Sequence, residues 1–451
     1  MEKRAISKKI PAYLDSAVIY QLFLRAFTPQ GTLKAAEKML PHLKNIGVDI
    51  VYLCPFFTAD DDMDPAYWSA RQMECQLNNP KNPYRMQDYF HVDPEYGTDE
   101  DLHDFVNAAH AMGLRVIFDL VYFHCGPTAV FLEEHPDFIR RNPDGSPRIG
   151  EWKFPELNFE NPELREYMWS NMEYYVREYD VDGYRCDVAD RVPLDFWEEG
   201  RRRIDALKPE LMMLNESWTP DMQCIAFDLN YDFGLSGAFQ KVLRGEAPAT
   251  HIRDYRRECE RDHLAENGRS ILCFDNHDYA NGVKLDRYET RYGTAAVDTV
   301  LFLIYTMQGV PFLYNGYEVA DANHHCIWGN RFHGANLTIE WENALTEKGQ
   351  KRMQLVRELA ALHKGHTEIT KGDLHYAESS AEPVLVFVRS YGAGKAAFLV
   401  NMSDKPVDVE TDVTVHLTEL VYGRGTTVQI RDCKLCAHME PYGFSMIQLI
   451  R

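Results

Sequence analysis

Over the first two-thirds of the chain, short apolar runs alternate with longer segments whose apolar positions recur at helical period. Eight runs read as strands, namely Val18–Phe23, Ile50–Leu53, Val116–Val121, Gly183–Val188, Leu211–Asn215, Ile225–Leu229, Ile271–Phe274 and Val310–Tyr314. Near-continuous apolar strands separated by helices are the mark of βα units whose parallel sheet is covered on both faces. Eight of them fit a closed barrel better than an open, doubly wound sheet. The helices between carry their own punctuation. From Thr98 the run TDED reads as a capping box, and Leu102, Phe105, Val106, Ala109 and Met112 then share one face before Gly113.

After the helix-like stretch Ala344–His363 the pattern turns to short alternating strands, including Val384–Val388, Ala396–Asn401, Val413–Leu417 and Phe444–Leu449, with YGAG as a hairpin turn. The expected fold is therefore α/β. A (β/α)8 TIM barrel covers residues 1–371, and a C-terminal all-β sandwich domain covers 372–451. A Pro-, Gly- and charge-rich stretch at about 125–159 reads as a short insertion after strand 3 that forms a small lobe over the barrel mouth.

Composition narrows the partners. With 451 residues and 45% hydrophobic content the chain is long enough for a large domain plus a smaller one. A net charge of −21 repels phosphodiester backbones and anionic membrane surfaces, so neither nucleic acid nor membrane is an expected partner. No transmembrane stretch or secretory signal is expected. Ten cysteines, several inside apolar runs such as Cys54, Cys186 and Cys273, look like reduced core thiols and point to the cytoplasm. Cys433 and Cys436, with His438 behind, would need a second ligand pair to hold zinc, and none is evident, so neither metal nor cofactor is expected. The acidic run Asp60, Asp61, Asp62 and Asp64 reads as solvated surface, with a cation site as the alternative.

Ionisable residues gather at the carboxyl ends of the strand runs, the end that carries chemistry in such barrels. Arg185 and Asp187, two apart in GYRCDVAD, leave the strand on one face, and the guanidinium would keep the carboxylate ionised for attack. Taken alone the pair reads equally as a structural ion pair. Glu216 in MLNESW follows an apolar strand near Trp218, a setting that raises a glutamate pKa and makes it a proton donor. His277 and Asp278 in CFDNHD, with His124 after DLVYF, supply donors and acceptors for vicinal hydroxyls. Two carboxyls flanking a glycosidic bond are what glycoside hydrolysis requires.

These motifs resemble the α-amylase family, glycoside hydrolase family 13, from VIYQLFLRAF to EPYGFSMIQL. DLVYFH, GYRCDVAD, LNES and CFDNHD are similar to its four signature regions in order, and QGVPFLYNGYE to its eighth-strand segment. The resemblance implies a retaining α-glycosidase acting on α-gluco-oligosaccharides, with Asp187 as nucleophile, Glu216 as acid/base and Asp278 as the third essential carboxylate. Arg185, His124 and His277 match the supporting set, and Tyr84 in PYRMQDY the aromatic platform, with Asp88 as its neighbour. A transglycosidase, isomerase or phosphorylase of the same family shares these residues and is the alternative. A non-catalytic binding subunit is disfavoured because all three carboxylates are present. Two departures stand out. Phe123 replaces the asparagine that calcium-binding relatives place before the first histidine, and a phenyl ring offers no oxygen ligand. Val188, Ala189, Asp190 and Arg191 replace the Ala-Ala-Lys-His that follows the nucleophile in many α-1,4-acting members, which leaves the linkage open.

Overall fold

The computed structural model describes residues 5–280, 286–333 and 338–450. Its first part is a closed parallel barrel of β1 (Ile19–Leu22), β2 (Ile50–Leu53), β3 (Arg115–Leu120), β4 (Gly183–Cys186), β5 (Met212–Asn215), β6 (Leu229–Asn230), β7 (Arg269–Leu272) and β8 (Val310–Tyr314), in that order round the barrel. β8 closes onto β1 through Ile19↔Phe312 and Tyr20↔Leu313. The strands are almost wholly buried because helices cover the outside while side chains fill the inside. The capping box forms as read: Thr98 accepts from the Asp101 N–H, and Asp101 accepts in return from the Thr98 N–H. Leu102, Phe105, Val106 and Ala109 of that helix are buried.

The sixth strand differs from its sequence reading. Strand pairing is confined to Leu229–Asn230, while Ile225 is 52% exposed, so the apolar run 225–229 is mostly a turn. The end of the strand is polar: Asn230 is buried and accepts from the Asn215 amide on β5.

Register positions the chemistry. Asp119 on β3 lies directly across from Arg185 on β4, and Arg185 across from Leu214 on β5. The segment 125–159 holds itself by short antiparallel bridges, among them Ile139↔Leu157 and Arg141↔Pro147, and returns to the barrel at His124↔Glu156.

Beyond the barrel lie β9 (Asp373–Ala377), β10 (Val384–Tyr391), β11 (Gly394–Asn401), β12 (Val407–Thr414), β13 (Leu417–Arg431) and β14 (Lys434–Ile450), all antiparallel. The expected sandwich takes the form of one sheet turned over on itself, because β14 serves both halves: residues 434–439 pair with β12 and 444–448 with β11. One face buries Phe387, Phe398 and Phe444 against Phe302 of the barrel helix Tyr288–Thr306. The other closes a second core of Val386, Leu399, Val409, Leu435 and Ala437. Cys433 sits in the β13–β14 turn and is exposed, whereas Cys436 is buried; among the described residues no three His, Cys, Asp or Glu groups converge as a metal site.

Candidate active site

Arg185 organises the barrel mouth. It is fully buried, and its Nη1 donates to Asp119 at 2.7 Å and to Asp187 at 2.7 Å. Its Nη2 lies 2.5 Å from Glu216 Oε1, an ion contact without hydrogen-bond alignment. One cation therefore faces three carboxyls. Burial pushes Asp119 and Asp187 each up to about 6, against the opposing pull of Arg185. Glu216 is pushed further, to about 8, by burial and by the charges of Asp187 and Asp278. The cause is arithmetic: a single guanidinium cannot offset three anions in a site shielded from water, so the least compensated carboxyl keeps its proton.

The backbone after Asp187 is strained and works the other way, since an N–H donated to a carboxyl favours its anion. Val188 has φ 36° and ψ 48°, a left-handed conformation that costs a β-branched residue energy, and its N–H donates to Glu216 Oε2 at 2.9 Å. Trp218 does not supply the burial expected of it. It is 39% exposed and stacks on His263 with ring centres 4.3 Å apart.

Both ring nitrogens of His277 are engaged. Nδ1 accepts from Gln21 Nε2 at 2.7 Å, so Nε2 carries the proton and donates to Tyr84 Oη at 2.7 Å; that hydroxyl in turn donates to Asp119 at 3.2 Å. Burial holds His277 down to about 4, neutral at physiological pH. Tyr84 stacks flat on it, with ring centres 5.3 Å apart. The neighbour of Tyr84 is thus Asp119, not Asp88, whose carboxylate accepts from the Phe90 N–H.

His124 is also held near 4 by burial. Its Nε2 N–H is spent on the Tyr84 carbonyl at 2.9 Å, which leaves Nδ1 as a buried acceptor and not the donor that the sequence suggested. Asp278 accepts from Arg71 at 3.0 Å. Burial alone would raise its pKa, but His277, Arg71 and Arg185 outweigh that and hold it below the ordinary range.

These groups line one cleft of about 270 Å³ with Trp152 and Phe154 of the insertion and Trp328 after β8. All seven residues singled out in the sequence meet here: Tyr84, His124, Asp187, Glu216, His277 and Asp278 on its wall, and Arg185 beneath, bonded to two of them. Three further residues belong with them. Asp119 and Gln21 were signalled by being polar inside apolar strands; Arg71 carried no motif.

The acidic run is likewise more than surface. Asp60 is fully buried, accepts from the Thr128 N–H and hydroxyl at 2.8 Å, and lies 3.5 Å from the buried Arg85. Arg85 collects the carbonyls of Asp60, Asp62, Tyr67 and Pro80, so the run folds around a guanidinium that needs a counter-charge.

A profile described as "Alpha amylase, catalytic domain" matches residues 13–143 and 148–368. A cyclomaltodextrinase of Geobacillus thermopakistaniensis is 25% identical over 92% of this chain and 69% of its own length. A maltogenic alpha-amylase of Bacillus acidopullulyticus is 24% identical over 84% of this chain. The chain spans 64% of that second relative's length, so the relatives are longer proteins. The crystal structure of a noncanonic maltogenic alpha-amylase from Thermotoga neapolitana superposes with a TM-score of 0.82 at 24% identity, covering 97% of this chain and 100% of that one.

Proposed function

Because the chain belongs to the α-amylase family, whose hydrolases act on α-glucans with retention, we propose that Asp187 and Glu216 perform its double displacement on α-gluco-oligosaccharides. The observation that carries this reading is one buried guanidinium touching both carboxyls while their pKa values are driven apart, to about 6 and about 8.

At neutral pH Asp187 is the anion and Glu216 holds its proton. Asp187 attacks the anomeric carbon as Glu216 protonates the departing glycosidic oxygen; the C–O bond breaks and a glycosyl ester forms on Asp187. Glu216, now ionised, takes a proton from water, whose oxygen attacks the same carbon, releasing Asp187 and restoring the original anomeric configuration. Asp278 faces the ring hydroxyls, neutral His277 holds Tyr84 in place through its Nε2 N–H, and Arg185, oriented by Asp119, balances the charge on both catalytic carboxyls.

Cytoplasmic location belongs to the same reading, supported by ten free thiols and by a 23% identical relative named intracellular maltogenic amylase in Bacillus subtilis. We place the barrel at residues 1–371 and the sheet domain at 372–451, and assign the latter stability, not chemistry. An activated fluoroglucoside that traps the first ester tests the mechanism. Mass spectrometry is expected to find the adduct on the peptide carrying Asp187, and an adduct elsewhere overturns the assignment.

A further inference from the structure

The rim of the cleft is uneven. On the side of β8, β1 and β2 it is closed by two segments bonded to each other, 69–82 after β2 and 326–330 after β8. Asn79 Nδ2 donates to the Trp328 carbonyl at 2.8 Å. Arg25, buried and anchored by Glu95 at 2.7 Å, donates to the carbonyls of Lys81 and Ile327 and so ties one segment to the other. Cys75 faces Cys326 across the same seam. Trp328 is 2% exposed.

Arg71 stands on this wall and reaches Asp278, on the segment after β7, at 3.0 Å. An ion pair from the β2 side to the β7 side encloses the arc of β8 and β1 behind it. The opposite arc, at β3 to β5, is where Glu216, Val188 and the insertion's Trp152 line the cleft. A general acid must lie beside the oxygen it protonates, so the leaving half of the substrate exits toward Glu216. The half that stays, carrying the anomeric carbon, then points at the wall.

We propose that the site is a pocket closed on this glycone side among the described residues, with Arg71 as the residue that closes it, so that cutting proceeds from the non-reducing chain end. The inference rests on the glycosidase reading and adds a substrate requirement to it. A glucan without a free non-reducing end cannot place its anomeric carbon at Asp187 without running a chain through the Arg71–Asp278 pair. Cyclic glucans are therefore expected to be poor substrates, unlike what the name cyclomaltodextrinase says of the first relative above.

Turnover of nitrophenyl α-maltoheptaoside is to be compared, by chromatography of the products, with the same compound blocked by a 4,6-O-ethylidene group on its non-reducing ring, and with cyclic maltohexaose. The blocked and cyclic substrates are expected to react on the order of a hundredfold more slowly. Arg71→Ala is expected to shrink that ratio by about tenfold, a gain that mere loss of structure would not produce. Blocked and free substrates cut at rates within about twofold, or a ratio unmoved by Arg71→Ala, overturn the closed pocket while leaving the glycosidase reading intact. Failure to cut the free-ended substrate at all overturns both.

Discussion

Two fully buried arginines, Arg185 at the barrel mouth and Arg389 where the sheet domain meets the barrel, differ in what they touch. Arg389 donates to the carbonyls of Thr306, Ile369 and Gly372, with no carboxylate hydrogen-bonded to it among the described residues; burial lowers it to about 10. Arg185 faces three carboxyls, and although burial alone would lower it, Asp119, Glu216 and Asp187 push it well above the ordinary value. A guanidinium among carbonyls staples backbone that would otherwise be unsatisfied. A guanidinium outnumbered by acids sets how many protons those acids keep. The partner set, and not burial, separates the structural arginine from the one that conditions chemistry.

Paired substitutions put the largest strain on that distinction. Arg185→Met is expected to cut kcat/KM by about a thousandfold or more, because the charge that balances Asp187 and Glu216, the carboxyls proposed to act, is removed. Arg389→Met is expected to cost about 2–4 kcal/mol of stability by orphaning three buried carbonyls, with kcat/KM of the folded enzyme changed by less than about twofold. Steady-state kinetics beside thermal unfolding read both. Equal losses of turnover in the two variants would break the comparison.

The pH profile sharpens it. We expect kcat/KM to rise as Asp187 loses its proton near about 6 and to fall as Glu216 loses its proton near about 8. The charge of Asp278 helps raise Glu216, so Asp278→Asn is expected to move the alkaline limb downward. Stability carries the opposite sign to an ordinary ion-paired carboxylate. The folded state holds the Glu216 proton from the ordinary value of 4.5 up to about 8, so this contribution is present in acid and lost as pH rises through about 8. Glu216→Gln, which cannot ionise, is expected to melt about 1–3 °C above wild type at pH 8 and higher. A basic limb that stays in place in Asp278→Asn would remove Asp278 from the electrostatics of the site.

Much of this was legible in the chain because the barrel strands are buried on both sides, which forces long apolar runs, and because Asp187 and Glu216 directly follow two of those runs. Where a strand is short and polar at its end, as at Leu229–Asn230, the apolar run beside it misleads. Asp119 stood out only as the single acid in the run Val116–Ile117–Phe118–Asp119–Leu120, and its role was not legible because its partner Arg185 lies 66 residues further on. The role of Asp60 required knowing that Arg85, distant by 25 residues, would be buried beside it. Arg71 lies on the short helix Ala70–Glu74, capped by Ser69, and nothing in the sequence pattern says that this helix stands over the cleft.

A smaller effect is expected at Val188, where strain and chemistry meet in one residue. Left-handed backbone is nearly free for glycine, so Val188→Gly is expected to stabilise the fold by about 0.5–1 kcal/mol after the entropy glycine loses on folding. Turnover should fall at the same time, since the N–H that holds Glu216 becomes less firmly placed. A variant less stable than wild type would show that packing of the Val188 side chain, and not its φ of 36°, governs this turn.

The smallest effect concerns calcium, and the expected result is none. The residue before His124 is Phe123, half-buried, with its ring edge-on to Trp152 of the insertion at 5.9 Å and to His124 at 5.8 Å. Its carbonyl accepts from the Leu157 N–H at 3.1 Å, which pins the far end of the same lobe. Aromatic contact and backbone pairing thus join barrel and insertion where an oxygen ligand would otherwise be wanted, and calcium needs six to eight oxygens. Exhaustive chelation is therefore expected to leave both turnover and melting temperature unchanged, whereas Phe123→Asn, which removes the ring, is expected to cost about 1–2 kcal/mol and to lower activity through a looser lobe. Loss of activity on chelation that added calcium restores would overturn this account of what holds the lobe over the cleft.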